Sequence, residues 1–571
     1  MLACDYDGTL AHDGRVAPET IEALRRLKGT GRRVVLVTGR RIEDLKEVFG
    51  EVGICDLVVA ENGGLIYAPA SQEVTALAEA PDARFVEALR ARGVNDLAVG
   101  RAIVATWEPH AQAVLDAIRE LGLELQVVFN KGAVMVLPSG VNKATGLAAA
   151  LARLGLSPHN AVGVGDAEND HALLAACELG VAVANALPAL RERADLLTLG
   201  DHGAGVAELC DRLCATDLAE LGGTLQRHDL PLGSDVATGE EIHLPAFGAA
   251  LLVAGTSGGG KSTAVTGLVE HLAERGYQHV IIDPEGDYGT YDRAVVIGDE
   301  RRAPTVAEVV AALAKPETNV VVNLLGLSLE LRPAFFAALL PPLLELRGRL
   351  GRPHWIVVDE AHHLMPGGTP GDVPSDLGGF ILVTVHPEHV ARAAIAAVGH
   401  LLALGKTPHD VLREFAAAAG ASAPDGDDEP LATGEALYWT RGSSAPPRHI
   451  RVAASRTERQ RHARKYAEGD LGADKSFYFR GADGRLNLRA QNLGLFLQLG
   501  DGVDAATWLH HLRAGDYSRW ALESIKDEEL AAEIAAVERA TNGTNDAAAS
   551  RAAIRHVIEA RYTAPAAASP A

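Results

Sequence analysis

Residues 2–10 read LACDYDGTL. Leu2, Ala3 and Cys4 form a short apolar run of strand character that delivers two carboxylates, Asp5 and Asp7, with Gly8 and Thr9 turning the chain behind them. Alternate residues of an extended segment share a face, so one pocket can use both acids. Read alone, the stretch is either a strand ending in an acidic turn or the opening of a phosphoryl-transfer site. In the second case Asp5 attacks phosphorus, while Asp7 protonates the leaving oxygen and later deprotonates water.

Three later strand ends decide between these readings. The apolar run 34–37 (VVLV) ends in Thr38, Gly39 and Arg40, which offer a hydroxyl and the start of a helix to a phosphoryl oxygen. Lys143 opens the helical run ATGLAAAL, where a cation can neutralise charge in phosphoryl transfer. The run 162–164 leads into GDAEND, in which Asp166, Asn169 and Asp170 supply oxygen ligands suited to magnesium. Between these points, apolar runs at 57–60 and 181–184 alternate with helical patterns such as 20–28 and 144–154, the signature of a parallel sheet with helices on both faces. Residues 81–138 break that rhythm with helix, strand, helix and paired strands (125–129 and 133–137), predicting a small α+β insert.

With these residues in place, the first 210 or so residues resemble the haloacid dehalogenase (HAD) superfamily, specifically its type IIB sugar-phosphatase branch. The resemblance implies a Rossmannoid core over 1–80 and 139–215, with 81–138 as the cap that closes on substrate. It implies Asp5 as nucleophile and magnesium ligand, Asp7 as acid/base with its carbonyl on the metal, Thr38 and Lys143 holding the phosphoryl group, and Asp166 and Asp170 completing the metal site. The ENGG string at 61–64 matches a substrate-side loop, so Asn62 and Gly63 join Gly39, Arg40 and Asn169 as expected substrate contacts. The short cap, similar to that of small phosphoglycolate phosphatases, favours a small phosphorylated metabolite. Only four residues precede Asp5, which suggests a start upstream of Met1.

A second α/β series begins near Asp217, with apolar runs at 250–254, 279–282, 319–324, 355–358 and 380–385. The first runs into GTSGGGKST, Gly255, Thr256, Ser257, Gly258, Gly259, Gly260, Lys261, Ser262 and Thr263, and then into a helical segment. Glycines there let backbone N–H groups wrap phosphate, the lysine reaches the terminal phosphates and Ser262 binds magnesium: a Walker A loop for ATP. The run 355–358 ends in Asp359 and Glu360, a Walker B pair that supports magnesium and activates water. DPEGDY at 283–288 and DEAHH at 359–363 resemble the HerA/FtsK motor ATPases over roughly residues 217 to 410. That resemblance implies His386 as a γ-phosphate sensor, ring assembly through this domain, nucleic acid as a partner, and an arginine supplied across the subunit boundary, for which Arg347, Arg349 and Arg352 are the candidates. A P-loop kinase fused to a phosphatase is the alternative, ranked lower because Glu360 beside Asp359 suits water activation.

Length and composition set the outer limits. At 571 residues, one domain per ~150 residues predicts three or four. A net charge of −22 argues against a protein that coats nucleic acid, so a phosphorylated metabolite is preferred to DNA as partner, although a local basic groove is left open. No apolar run reaches the ~18 residues that span a bilayer, and no signal peptide is evident, so a cytoplasmic protein is expected. The five cysteines are too scattered for a disulfide framework or a zinc site. The ATPase domain is expected over 216–450, with 417–434 as an exposed loop, and a mostly helical module over 451–540. In that module Phe477 and Phe479 should alternate into a core while Tyr478 and Arg480 face out, and Trp508, Leu509, Leu512, Tyr517 and Trp520 should pack together. The basic run RTERQRHARK (456–465) reads as a solvated helix, and 541–571 as a helix ending in the structureless tail TAPAAASPA.

Overall fold

The computed structural model describes the chain except residues 222–224, 257–258, 368–373, 375, 425, 427–430, 444, 454, 456–470, 472–474, 482–483, 485, 526, 542–545 and 563–571. The basic run and the terminal tail, with Ser257 and Gly258 of the glycine-rich loop, therefore lie outside the described residues.

Near-continuous apolar runs are what a strand buried on both faces requires. Leu2–Cys4, Val34–Val37 and Leu57–Ala60 are buried throughout. They join an eight-stranded sheet in the order Leu196–Leu197, Leu179–Ala182, Val162–Gly165, Leu2–Cys4, Val34–Val37, Leu57–Ala60, Leu65–Ala68, Glu73–Ala76. Leu2–Cys4 pairs in parallel with Val162–Gly165 on one side and Val34–Val37 on the other. Chain direction across the sheet reverses about this central strand, and the crevice beyond its carboxyl end is where such sheets bind ligands. The strand is three residues long, as the sequence implied.

The insert has its own four-stranded antiparallel sheet, Ala98–Val99, Val104–Trp107, Ala133–Pro138, Leu125–Asn130. Helices Ala83–Ala91 and Ala111–Leu121 pack on it through Phe85, Leu89 and Val114.

The second series forms an eleven-stranded sheet. Its parallel part runs His400–Leu404, Ala250–Gly255, Phe380–Thr384, Trp355–Val358, His279–Asp283, Val320–Asn323, Val295–Ile297, with apolar clusters on both faces. An antiparallel extension over Glu435–Thr440, Arg448–Val452, Leu230–Asp235 and Glu241–Leu244 continues it beyond His400–Leu404. The sequence reading did not foresee this extension, because edge strands such as Glu241–Leu244 alternate buried and exposed residues over too short a run to stand out. Residues 408–419 close with a helix, so the expected loop begins later than 417.

Beyond it, the hairpin Phe477–Phe479/Leu488–Ala490 precedes, among the described residues, five α-helices and one π-helical turn, ending with Ala547–Tyr562. Phe477 and Phe479 are buried, Arg480 is exposed, and Trp508, Leu512, Tyr517 and Trp520 share their core. Among the described residues, no helix is long and apolar enough to cross a membrane.

Candidate active sites

The carboxyl ends of three adjacent strands place Asp5, Thr38 and Asp166 side by side. The fourth group arrives from a helix. Asn142 caps Lys143–Leu154 by accepting from the amides of Ala144 and Thr145, and Thr145 Oγ1 accepts from the Asn142 amide in return. This box fixes Lys143 at the first helical position, where its Nζ donates to Asp5 Oδ1 at 2.5 Å and Asp170 Oδ1 at 2.6 Å. All three side chains are nearly inaccessible. Burial alone would lower the lysine's pKa, but Asp170 and Asp5 outweigh it and the net shift is upward. Burial, followed by the charge of Asp170, raises the Asp5 carboxyl to about 7 against the pull of Lys143.

Asp170 Oδ2 accepts from the amides of Asp166 and Ala167, each at 3.0 Å, and Thr9 donates to Asp166 Oδ1 at 3.0 Å. Asp7 faces outward and is clamped at both oxygens by Arg40, Nε and Nη2 each at 2.7 Å. Arg40, expected on substrate, thus holds Asp7 here. Thr38 is buried and its Oγ1 accepts from the Arg40 amide at 3.1 Å, while Asn169 donates to Asn62 Oδ1 at 3.1 Å. Gly39 lies under the cap residue Met135: a Cβ there would meet Met135 Cε at 3.1 Å. Gly63 has φ +109°, and a Cβ there would meet the Asn142 carbonyl at 2.0 Å, so only glycine lets this loop lie against the lysine's cap.

Two contributors escaped the sequence reading. Lys131, at the tip of the cap hairpin with φ +48°, reaches Asp166 Oδ2 at 2.5 Å and the Asp7 carbonyl at 3.5 Å. The buried Glu61 accepts from the amides of Arg101, Ala102 and Ile103 at 2.7–3.1 Å, tying the ENGG loop to the cap. A lysine in a hairpin turn carries no local signal of its destination. Glu61 was visible only as part of its string.

The site fits magnesium. Asp5, Asp166 and Asp170 bring one oxygen each within 4.8 Å of one another, Asn169 Oδ1 is buried without a hydrogen-bond partner, and Lys131 places a cation against Asp166 and the Asp7 carbonyl. An all-oxygen donor set of this kind suits a hard divalent ion.

Residues 2–99 and 107–209 match the family model described as haloacid dehalogenase-like hydrolase. A phosphoglycolate phosphatase of Methanothermobacter thermautotrophicus is 33% identical over 220 residues, covering 37% of this chain and 97% of that protein. The chain belongs to the haloacid dehalogenase-like hydrolases. A phosphoglycolate phosphatase of Halorubrum lacusprofundi is 35% identical over 216 residues, covering 36% of this chain and 93% of that one. A solved haloacid dehalogenase-like hydrolase from Bacteroides thetaiotaomicron is similar at 21% identity and a TM-score of 0.32, over 37% of this chain and 98% of its own. The first 209 residues are thus a HAD-type phosphatase, a phosphoric monoester hydrolase. Residues 242–338 match the model described as Helicase HerA, central domain.

In that second unit Gly255 has φ +155°, and a Cβ would meet the Leu404 carbonyl at 2.1 Å. Gly260, φ +91°, caps the helix Lys261–Glu274, which carries Ser262 and Thr263 in its first turn. Lys261 Nζ donates to the carbonyls of Gly255 and Thr256 at 3.0 and 3.1 Å. Close backbone approach at a glycine loop, a helix start and a lysine at hand fit a nucleotide's phosphates. Asp359 is buried, and burial, then Asp283 and Glu360, push its carboxyl well above the usual carboxylate range. Glu360 sits at φ +45°, with His362 Nδ1 at 3.4 Å from its Oε2. Thr384 Oγ1 lies 3.0 Å from His362 Nδ1 and accepts from the His386 amide at 3.0 Å, so Thr384 and His362 join Glu360 to the expected sensor position. The His386 ring itself is half-exposed and pairs with Glu388 at 3.1 Å.

Two of the candidate arginines are elsewhere engaged. Arg347 donates to the carbonyls of Pro353 and Gly378, each at 2.9 Å, and Arg352 is buried against Gln278 Oε1 at 3.1 Å and the Gly155 carbonyl at 2.6 Å. Both are structural within this chain, since burial leaves no free guanidinium to offer a neighbour; Arg349 is exposed.

Proposed function

We propose that the N-terminal unit is a magnesium-dependent hydrolase of a small phosphorylated acid, phosphoglycolate or a close relative, and that the second unit binds and hydrolyses ATP in the cytoplasm. The observation that carries the first half is Lys143, buried between Asp5 and Asp170. It holds the nucleophile's charge and position without occupying Asp5 Oδ2. That oxygen attacks phosphorus, the P–O bond to the leaving group breaks, and Asp7, steered by Arg40, gives the departing oxygen a proton. Asp7 then takes a proton from water, which attacks phosphorus of the aspartyl-phosphate, freeing phosphate and Asp5. Thr38, Gly39 and Asn169 surround the phosphoryl oxygens. Asp5, the Asp7 carbonyl, Asp166 and Asp170 would hold the ion, which when bound supplies neutralisation of the phosphoryl charge. The relatives named phosphoglycolate phosphatase support the substrate class.

In the second unit Gly255 to Thr263 and Asp359 would hold ATP and its magnesium, with Glu360 orienting water and His386 reporting on the terminal phosphate through Thr384. A second reading, an ATP-driven nucleic-acid machine acting as a ring of copies, is favoured by the match to the HerA central domain and disfavoured by the net charge of −22. Phosphate release from phosphoglycolate, sugar phosphates and ATP, with and without DNA, separates them. Turnover of one metabolite that is lost in Asp5→Asn supports the phosphatase reading. Release from ATP alone, stimulated by DNA and lost in Lys261→Ala, would make the motor the main activity.

A further inference from the structure

Where the phosphatase unit meets the ATPase unit, three side chains from separate segments converge. His159 lies in the turn Pro158–Asn160, Glu178 directly precedes the strand Leu179–Ala182, and His228 lies on the segment that leads into the second sheet. His159 Nδ1 is 2.6 Å from Glu178 Oε2, and His228 Nε2 is 3.7 Å from the same oxygen. One ligand atom from each lies within 4.8 Å of the others, with side-chain exposures of 10%, 16% and 23%. Among the described residues the other two such groupings are the phosphatase carboxylates and the exposed run His386, Glu388, His389.

The second unit supplies the outer contacts. Tyr277 Oη donates to both Glu178 oxygens at 2.9 and 3.0 Å and its ring stacks on His159 at 3.7 Å, while His159 Nε2 faces the Arg275 carbonyl at 2.6 Å. A carbonyl only accepts, so Nε2 carries a proton. The Glu178 carboxylate also only accepts, so a neutral imidazole is one positive centre short on its Nδ1 side. Either a second proton or a metal ion must stand there. His228 Nε2 lies 3.7 Å from the same carboxylate oxygen and accepts from Arg227 Nε at 3.2 Å, so the donor set within reach is two imidazoles and one carboxylate.

We propose that His159 Nδ1, Glu178 Oε2 and His228 Nε2 form a zinc site, with a water completing four-coordination, that locks the phosphatase unit to the ATPase unit. Two histidines and a glutamate with one open position form a recurrent zinc set. The bond from His159 Nε2–H to the Arg275 carbonyl and the Tyr277 bonds to Glu178 are the outer partners that orient metal-bound imidazole and carboxylate. Zinc entry releases the Nδ1 proton to solvent. It also displaces Arg227 Nε, which points at His228 Nε2 at 3.2 Å; Arg227 keeps its bonds to the carbonyls of Cys177 and Glu178 and its pairing with Asp195. Because the ligands sit on the first unit and the connecting segment while the outer partners sit on the second, the ion fastens all three together.

The test is cobalt titration of the chelator-stripped full chain, followed by visible absorption and then by zinc competition. Four-coordinate cobalt on nitrogen ligands absorbs intensely, whereas cobalt on the six-coordinate, all-oxygen Asp5–Asp166–Asp170 site absorbs weakly. The expected result is one equivalent of the intense spectrum, displaced by zinc, retained in Asp166→Asn and lost in His228→Ala and Glu178→Gln. Tyr277→Phe should weaken zinc binding by about tenfold. His228 is partly exposed, so its variant tests the ligand without emptying a core. A wild-type spectrum that is weak throughout, or an intense one that survives in His228→Ala or vanishes in Asp166→Asn, overturns the proposal.

Discussion

The chain holds two candidate sites whose buried carboxylates have different partners. In the phosphatase unit the carboxylates come with their counter-charge built in: Lys143 is buried between Asp5 and Asp170, and Lys131 descends from the cap onto Asp166. In the unit that matches the HerA central domain, Asp359 and Glu360 are raised by burial and by neighbouring acids, as Asp5 is, and Lys261 donates to the carbonyls of its own loop. The first site is organised before its ligands arrive. The second, on the function proposed for it, leaves its charge to be balanced by magnesium and nucleotide.

The largest effect that would test this contrast is catalytic. Asp5→Asn removes the nucleophile and should lower phosphomonoester hydrolysis by roughly 10⁴-fold or more, as loss of a covalent catalyst does. Lys261→Ala should abolish nucleotide binding in its own assay. If either substitution silenced both reactions, the two sites would not be separate. Next comes folding. Lys143→Met strands two buried carboxylates and should cost about 3–5 kcal/mol, whereas Lys261→Met, which gives up bonds to backbone carbonyls, should cost about 1 kcal/mol. Urea denaturation in chelator measures both, and equal costs would erase the distinction. Third, magnesium with ATP at a hundredfold over its dissociation constant should stabilise the ATPase unit by ~2.7 kcal/mol, read as a shift of its thermal transition that Lys261→Ala abolishes.

The contrast also bears on what the sequence made legible. Asp5, Thr38, Lys143 and Asp166 stood out because each sits at a strand end or helix start, where an apolar run announces the element and the next polar residue is what it delivers, and the structure brings them together. The same logic singled out Lys261 and Asp359. Lys131 could not be found this way: its role comes from the cap folding back across more than a hundred residues of sequence separation to meet Asp7. The bidentate bond of Arg40 to Asp7 was hidden too, because charge partners are chosen in three dimensions. The antiparallel extension was equally hidden, its pairing of Gly233 with Val452 being a long-range event without a local pattern. Arg347 and Arg352 were candidates for an arginine supplied to a neighbouring subunit, yet both donate to backbone carbonyls of their own chain.

The smallest effect concerns pH. Burial and Asp170 raise the Asp5 carboxyl to about 7, above its ordinary carboxylate value of 3.8. The folded, metal-free protein therefore holds this proton more tightly than the unfolded chain. The stability it contributes is complete below the ordinary carboxylate range and is lost as pH rises through about 7. Magnesium binds only the ionised carboxylate, so its stabilising effect runs the opposite way, growing across the same window and weakening by up to tenfold in affinity per unit of acidification. Denaturation midpoints at pH 5, 6 and 7.5, with chelator or with magnesium, should therefore diverge as pH rises, and Asp5→Asn should flatten the divergence. Parallel curves would mean that Lys143 alone already keeps Asp5 ionised, and the first site would then be even more fully organised without its ion than its geometry implies.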